Sequence, residues 1–162
     1  MNFVFLSPNF PENYWMFIRG LKRNGLRTLG IGDCPYDNLA PELKAELDEY
    51  YKVDTLEDYD QVYRGVAYFA FKYGKIDWLE SNNEYWLLRD AKLRDDFNIN
   101  TGIKSDKIQF IRYKHMMKEC YEKAGVPSAR WHLVSDLEGC QEFIKTVGYP
   151  VIVKPDNGVG AA

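Results

Sequence analysis

The residues best placed to do chemistry lie in the stretch Gly148-Tyr-Pro-Val-Ile-Val-Lys-Pro-Asp-Asn-Gly-Val-Gly-Ala-Ala162. Tyr149 to Val153 is a short apolar, β-branched run, whose composition predicts a buried strand. It delivers Lys154 at its end, and the chain then turns through Pro155-Asp156-Asn157-Gly158. Gly158 and Gly160 allow a backbone to approach a ligand without interference from Cβ. A strand, a lysine where it emerges and a glycine loop suit an anionic ligand, a nucleotide phosphate above all. The same residues also suit a strand that ends in an ordinary turn with a solvated lysine. The spacing fits neither Gly-x-x-x-x-Gly-Lys-Ser/Thr nor Gly-x-Gly-x-x-Gly.

Other reactive side chains form no comparable pattern. His115 and His132 are the only histidines, and neither has a Cys or His partner at metal-ligand spacing. Cys34, Cys120 and Cys140 are odd in number and far apart, and read as reduced thiols. Glu80 and Asn82 follow an expected strand, at the carboxyl edge where open α/β sheets bind ligands. They suit substrate recognition or, equally, a simple turn. Met116 and Met117 read as core fillers, Lys118 as a surface charge, and the four tryptophans as packing residues.

The elements that must position these groups alternate. Phe3 to Leu6 predicts a strand, Glu12 to Asn24 a helix closed by Gly25, and Thr28 to Ile31 a second strand. The connection implies a parallel pair with a right-handed crossover. Ser7-Pro8-Asn9-Phe10-Pro11 replaces the glycine-rich turn of a dinucleotide site, which disfavours NAD or FAD there. A short helix over 41–47, a strand over 49–53, a long helix ending at Tyr73, a strand over 76–79 and a helix over 84–97 complete a small parallel sheet covered on both faces. The polar break at 98–102 sets the expected domain boundary, giving 1–102 and 103–162. Helices are expected over 107–111, 113–123 and 136–147, the last capped by Ser135, and strands over 129–134 and 150–153.

Composition bounds the function. With 46% apolar and 15% aromatic residues the 162-residue chain can build a packed core. A net charge of −3 gives no footprint for nucleic acid or an anionic membrane. The first hundred residues carry 12 Lys+Arg against 17 Asp+Glu, and the remainder 9 against 7, so the positive excess lies with Lys154. The N-terminus lacks the basic region and apolar length of a signal peptide, and no apolar run approaches the ~20 residues of a membrane span. A cytoplasmic location is expected.

Three segments together resemble a known family. Lys114-His-Met-Met-Lys118, Lys123-Ala-Gly-Val-Pro127 and Gly148-Tyr-Pro-Val-Ile-Val-Lys154-Pro-Asp-Asn-Gly158-Val-Gly160 look like the start of an ATP-grasp domain. Glu80 to Phe97, with Leu93-Arg94-Asp95-Asp96-Phe97, resembles what precedes that domain in carboxylate–amine ligases. The resemblance implies a Rossmann-like pre-ATP-grasp domain followed by the beginning of an α+β ATP-grasp subdomain. It implies a carboxylate activated by ATP as an acyl phosphate, which an amine or thiol then attacks. By position, Lys154 matches the strand lysine that contacts ATP and Lys114 the earlier lysine that reaches its phosphates. Gly158 and Gly160 match the start of the loop that closes over them. The Mg²⁺ ligands of the family are expected downstream of Ala162, and neither Asp106 nor Asp156 is assigned that role. The chain is therefore expected to be an N-terminal fragment, inactive alone, of a ligase acting on small carboxylates and amines. The alternatives are a non-catalytic β/α binding module, or a dimerisation module pairing two chains through Tyr14, Trp15 and Phe17.

Overall fold

The structure is a computed structural model that describes residues 1–158. The chain divides into two compact units, Met1–Ser105 and Asp106–Ala162.

The first unit is a four-stranded parallel sheet made of β1 (Asn2–Leu6), β2 (Arg27–Gly32), β3 (Glu49–Lys52) and β4 (Trp78–Glu80), in the order β3-β2-β1-β4. The central strand pairs on both sides, Val4 with Leu29 and with Leu79. Side chains alternate across a strand, so Phe3-Val-Phe-Leu6 feeds two cores at once. Phe3 and Phe5 pack with Ile18 of α1 (Trp15–Arg23) and Leu43 of α2 (Pro41–Glu46). Val4 and Leu6 pack with Val62, Val66 and Phe69 of α3 (Tyr59–Tyr73) and Leu93 of α4 (Leu87–Asp96). Sequence periodicity therefore places helices on both faces, as found. At Gly65 of α3 an added Cβ would lie 2.9 Å from Tyr51 and 3.0 Å from Ile31, so glycine lets this helix ride close on the sheet.

The long central helix starts where Asp58 accepts the backbone N–H groups of Asp60 and Gln61, an N-cap that stabilises such a terminus by about 1 kcal/mol. Strand order reverses around β1: β2 and β3 extend the sheet one way, and β4 returns to the other side. The crevice at the carboxyl ends of β1 and β4 is thus the topological switch point.

The second unit is helical in its described residues: α5 (Gln109–Arg112), α6 (Lys114–Lys123) and α7 (Leu137–Val147). Here several expectations fail. Neither 129–134 nor 150–153 forms a strand. Tyr149, Ile152 and Val153 are exposed instead of buried, as are Leu133 and Val134. A β-branched run becomes a strand only with a neighbouring edge to satisfy its backbone groups, and neither run has one among the described residues. Helix α7 is capped by Asp136, which accepts the Gly139 N–H at 2.7 Å, and not by Ser135, whose hydroxyl donates to Asp136. Met116 and Met117 are half-buried and not core. Among the described residues no helix is long and apolar enough to cross a membrane.

Candidate functional site

Each unit contributes one cluster of polar side chains. In the second unit, Tyr113 is extended and α6 begins at Lys114, so the first N–H groups of the helix need outside acceptors. The loop that follows Lys154 supplies them. The Asp156 carbonyl accepts the Lys114 backbone N–H at 3.0 Å and its ammonium Nζ at 3.3 Å. The Asp156 carboxylate accepts the His115 N–H at 2.9 Å and meets His115 Nδ1 at 2.6 Å. Burial pushes the Asp156 carboxyl up, but the His115 bonds and the Lys114 charge outweigh it and hold the group below its ordinary range.

The structure therefore joins the start of α6, with Lys114, to the loop that carries Lys154 and Gly158. Lys154 itself is exposed and follows an irregular segment, not a strand. Gly158 is exposed, and among the described residues a Cβ there would meet only Pro155, at 3.5 Å. Gly160 lies outside the described residues. Lys118 donates to the Ala129 carbonyl at 3.3 Å, in keeping with a surface charge. The His115–Asp156 pair escaped sequence reading because the two are far apart in the chain; the only local hint was an aspartate two residues after Lys154. Cys34, Cys120 and Cys140 are free thiols. Among the described residues no group of three or more His, Cys, Asp or Glu side chains is arranged to hold a metal ion.

In the first unit, Ser7 and Asn82 each stand two residues beyond the Phe5–Glu80 pair, at the switch point. Both are non-glycine residues with positive φ, 53° and 54°. Such backbone is uncommon outside glycine, and asparagine tolerates it best. Tyr14 donates its hydroxyl to the Asn82 carbonyl at 2.5 Å. Beneath this turn, Asp90 of α4 is fully buried and accepts both the Ser81 N–H and the Ser81 hydroxyl. Arg94, one turn on, pairs with Glu80 at 2.7 Å and donates to the carbonyls of Leu79 and Ile103. Glu80 is thus committed to a structural ion pair, while Asn82 lines the edge. A charged pair four residues apart beside the buried Ala91 and Leu93 was the available sequence signal for this cluster.

Comparison with known proteins fits this arrangement. No protein-family profile matches the chain. It is 30% identical over 161 residues to an L-arginine-specific L-amino acid ligase of Bacillus subtilis, covering 99% of this chain and 38% of that protein. It is 37% identical over 74 residues to the carbamoyl phosphate synthase large chain of a Thermotoga species, covering 7% of that protein. Its fold matches that of an L-amino acid ligase from Bacillus licheniformis, with a TM-score of 0.62, 18% identity, and 98% of this chain and 38% of that one covered. The chain matches the N-terminal region of ATP-grasp ligases. An N5-carboxyaminoimidazole synthetase from Staphylococcus aureus, solved with ADP, shares the fold at a TM-score of 0.70 and 18% identity, over 97% of this chain and 39% of that one. The chain spans little more than a third of the length of the amino acid ligase it matches.

Proposed function

We propose that the chain is the N-terminal part of an ATP-dependent carboxylate–amine ligase. Residues 1–102 would form its pre-ATP-grasp domain and 103–162 the opening of its nucleotide site. The observation that supports this reading most is the junction of the Lys114 helix start with the Lys154–Gly158 loop through Asp156. Two lysines and a helix N-terminus near one glycine loop provide charge neutralisation and backbone donors for a polyphosphate.

Within that reading, Lys114 and Lys154 hold ATP phosphates, Gly158 and Gly160 let the loop backbone approach them, and closure of the loop excludes water. Excluding water protects an acyl phosphate from hydrolysis until an amine attacks. ATP supplies the phosphoryl group; Mg²⁺, if it serves as in related enzymes, finds no ligand cluster among the described residues. The carboxylate and the amine are taken to be L-amino acids, since the relative matched over nearly the whole chain is an L-amino acid ligase. The switch-point edge with Ser7 and Asn82 would face one of them.

Phosphate release from ATP tests this, measured across pairs of L-amino acids in the protein whose N-terminal part is this chain. Release that requires a pair, and falls at least ~100-fold in Lys154→Met, is the expected result, since a phosphate-contacting charge acts on transition-state electrostatics. Release indifferent to amino acids, or unchanged in Lys154→Met, would refute it.

A further inference from the structure

The buried Asp90 carboxylate has two features that a passive structural role does not require. Its Oδ2 is shared by the Ser81 N–H at 3.0 Å and the Ser81 hydroxyl at 2.6 Å, while Oδ1 is buried with no hydrogen-bond partner among the described residues. Ser81 Oγ, in turn, has two acceptors within reach: Asp90 Oδ2 at 2.6 Å and the Asn83 carbonyl at 3.3 Å. A hydroxyl carries one proton, so it cannot serve both. Ser81 Oγ also accepts the Asn83 N–H at 3.2 Å, so a change at Ser81 is felt directly at Asn83.

We propose that Asp90 is the positioning residue of the Ser81-Asn82-Asn83 turn, and that its protonation decides which hydrogen-bond arrangement this turn presents at the carboxyl edge of the sheet. When Asp90 is ionised, Ser81 gives its proton to Oδ2 and the Asn83 carbonyl is left to other partners. When Asp90 is protonated on Oδ2, its O–H donates to Ser81 Oγ, and Ser81 turns its own proton to the Asn83 carbonyl. One proton is gained by the carboxylate from solvent; no other bond forms or breaks.

The charged groups acting on Asp90 fit a group near balance. Burial pushes its carboxyl up to about 7, against the Ser81 hydroxyl bond; the Glu80 carboxylate on β4 adds to the rise, and Arg94 on its own helix opposes it. Arg94 is itself tied to Glu80, Leu79 and Ile103, so it is not free to swing toward Asp90. Asn82, held at positive φ and by Tyr14, has little room to absorb a change except by shifting the turn as a whole. The residues that form the switch all lie in the first unit.

Backbone amide chemical shifts of Ser81, Asn82 and Asn83, followed from pH 5 to 9, test this. All three should titrate together with a midpoint near 7 in the unaltered chain and stay flat in Asp90→Asn. In Ser81→Ala the Asp90 side-chain carboxyl carbon should still titrate while the Asn83 amide no longer follows it. That variant keeps the test decisive if Asp90→Asn fails to fold. Flat amides in the unaltered chain would overturn the proposal. So would the same titration in Asp90→Asn, or an Asn83 amide that still follows pH in Ser81→Ala.

Discussion

His115 and Asp156 lie 41 positions apart in sequence and meet at 2.6 Å, ring nitrogen to carboxylate, at the first turn of α6. The same carboxylate takes the His115 backbone N–H, so one aspartate caps the helix and fixes the loop that carries Lys154. An acid at a helix N-terminus is also favoured by the helix dipole. The link is local to the second unit and gives it a long-range tie that its unpaired apolar runs do not provide.

Asp156→Ala should therefore loosen both ends of this tie. Loss of a helix cap costs about 1 kcal/mol, so faster amide hydrogen exchange at His115 and Met116 is expected, with the first unit unchanged. Because the Asp156 carboxyl is lowered on folding, its contribution is present above its unfolded value and is lost as pH falls through the folded one. Protection of the His115 amide, taken relative to its intrinsic exchange rate, should accordingly fall as pH drops below the ordinary aspartate range in the unaltered chain, and should lack that fall in Asp156→Ala.

Asp90 carries the opposite sign. Its folded-state carboxyl is raised, so the native first unit binds a proton that the unfolded chain has released. Stability from this group is full below the unfolded value and declines as pH rises through the range up to about 7. Urea unfolding of Asp90→Asn should lack this decline, and the variant should gain on the unaltered protein as pH moves from 5 to 8.

Two glycines should respond in opposite directions to alanine. Gly102 has a φ of +78°, and a Cβ there would lie 2.7 Å from Arg94 Nε. Gly102→Ala should destabilise the first unit by more than ~1 kcal/mol, combining left-handed backbone with displacement of a buried guanidinium. Gly20, inside α1, has no neighbour within 4 Å of an added Cβ. Gly20→Ala should stabilise by roughly 0.5–1 kcal/mol. Urea midpoints of the two variants check both signs.

Phe69 is the largest fully buried side chain, with none of its surface exposed, under α3 against the sheet. Phe69→Ala should cost about 3–5 kcal/mol through lost burial and the cavity left behind. A loss under 1 kcal/mol in denaturant unfolding would place α3 elsewhere.

The first unit was legible because its signals are local. The continuous apolar run Phe3-Val-Phe-Leu6, apolar spacing along 59–73 and glycines after helices specify the elements and both faces of the sheet. The second unit was less so. Tyr149 to Val153 has the composition of a strand, but composition records a preference that only a paired edge can satisfy. The site divides the same way. Lys114 and Lys154 could be picked out from a motif with fixed spacing, whereas His115–Asp156 and Asp90–Ser81 depend on which loops meet in space. Glu80 reads as a free edge carboxylate in sequence, yet folding places a buried arginine 2.7 Å away from it.

The central claim is that Lys114 and the Lys154 loop form one nucleotide-phosphate site, and amide chemical shifts during titration with MgATP test it most directly. Perturbation should concentrate at Lys114, His115, Asp156 and Gly158, spare the first unit, and be lost in both Lys114→Met and Lys154→Met. Shifts confined to the first unit, or unchanged by either substitution, would contradict it.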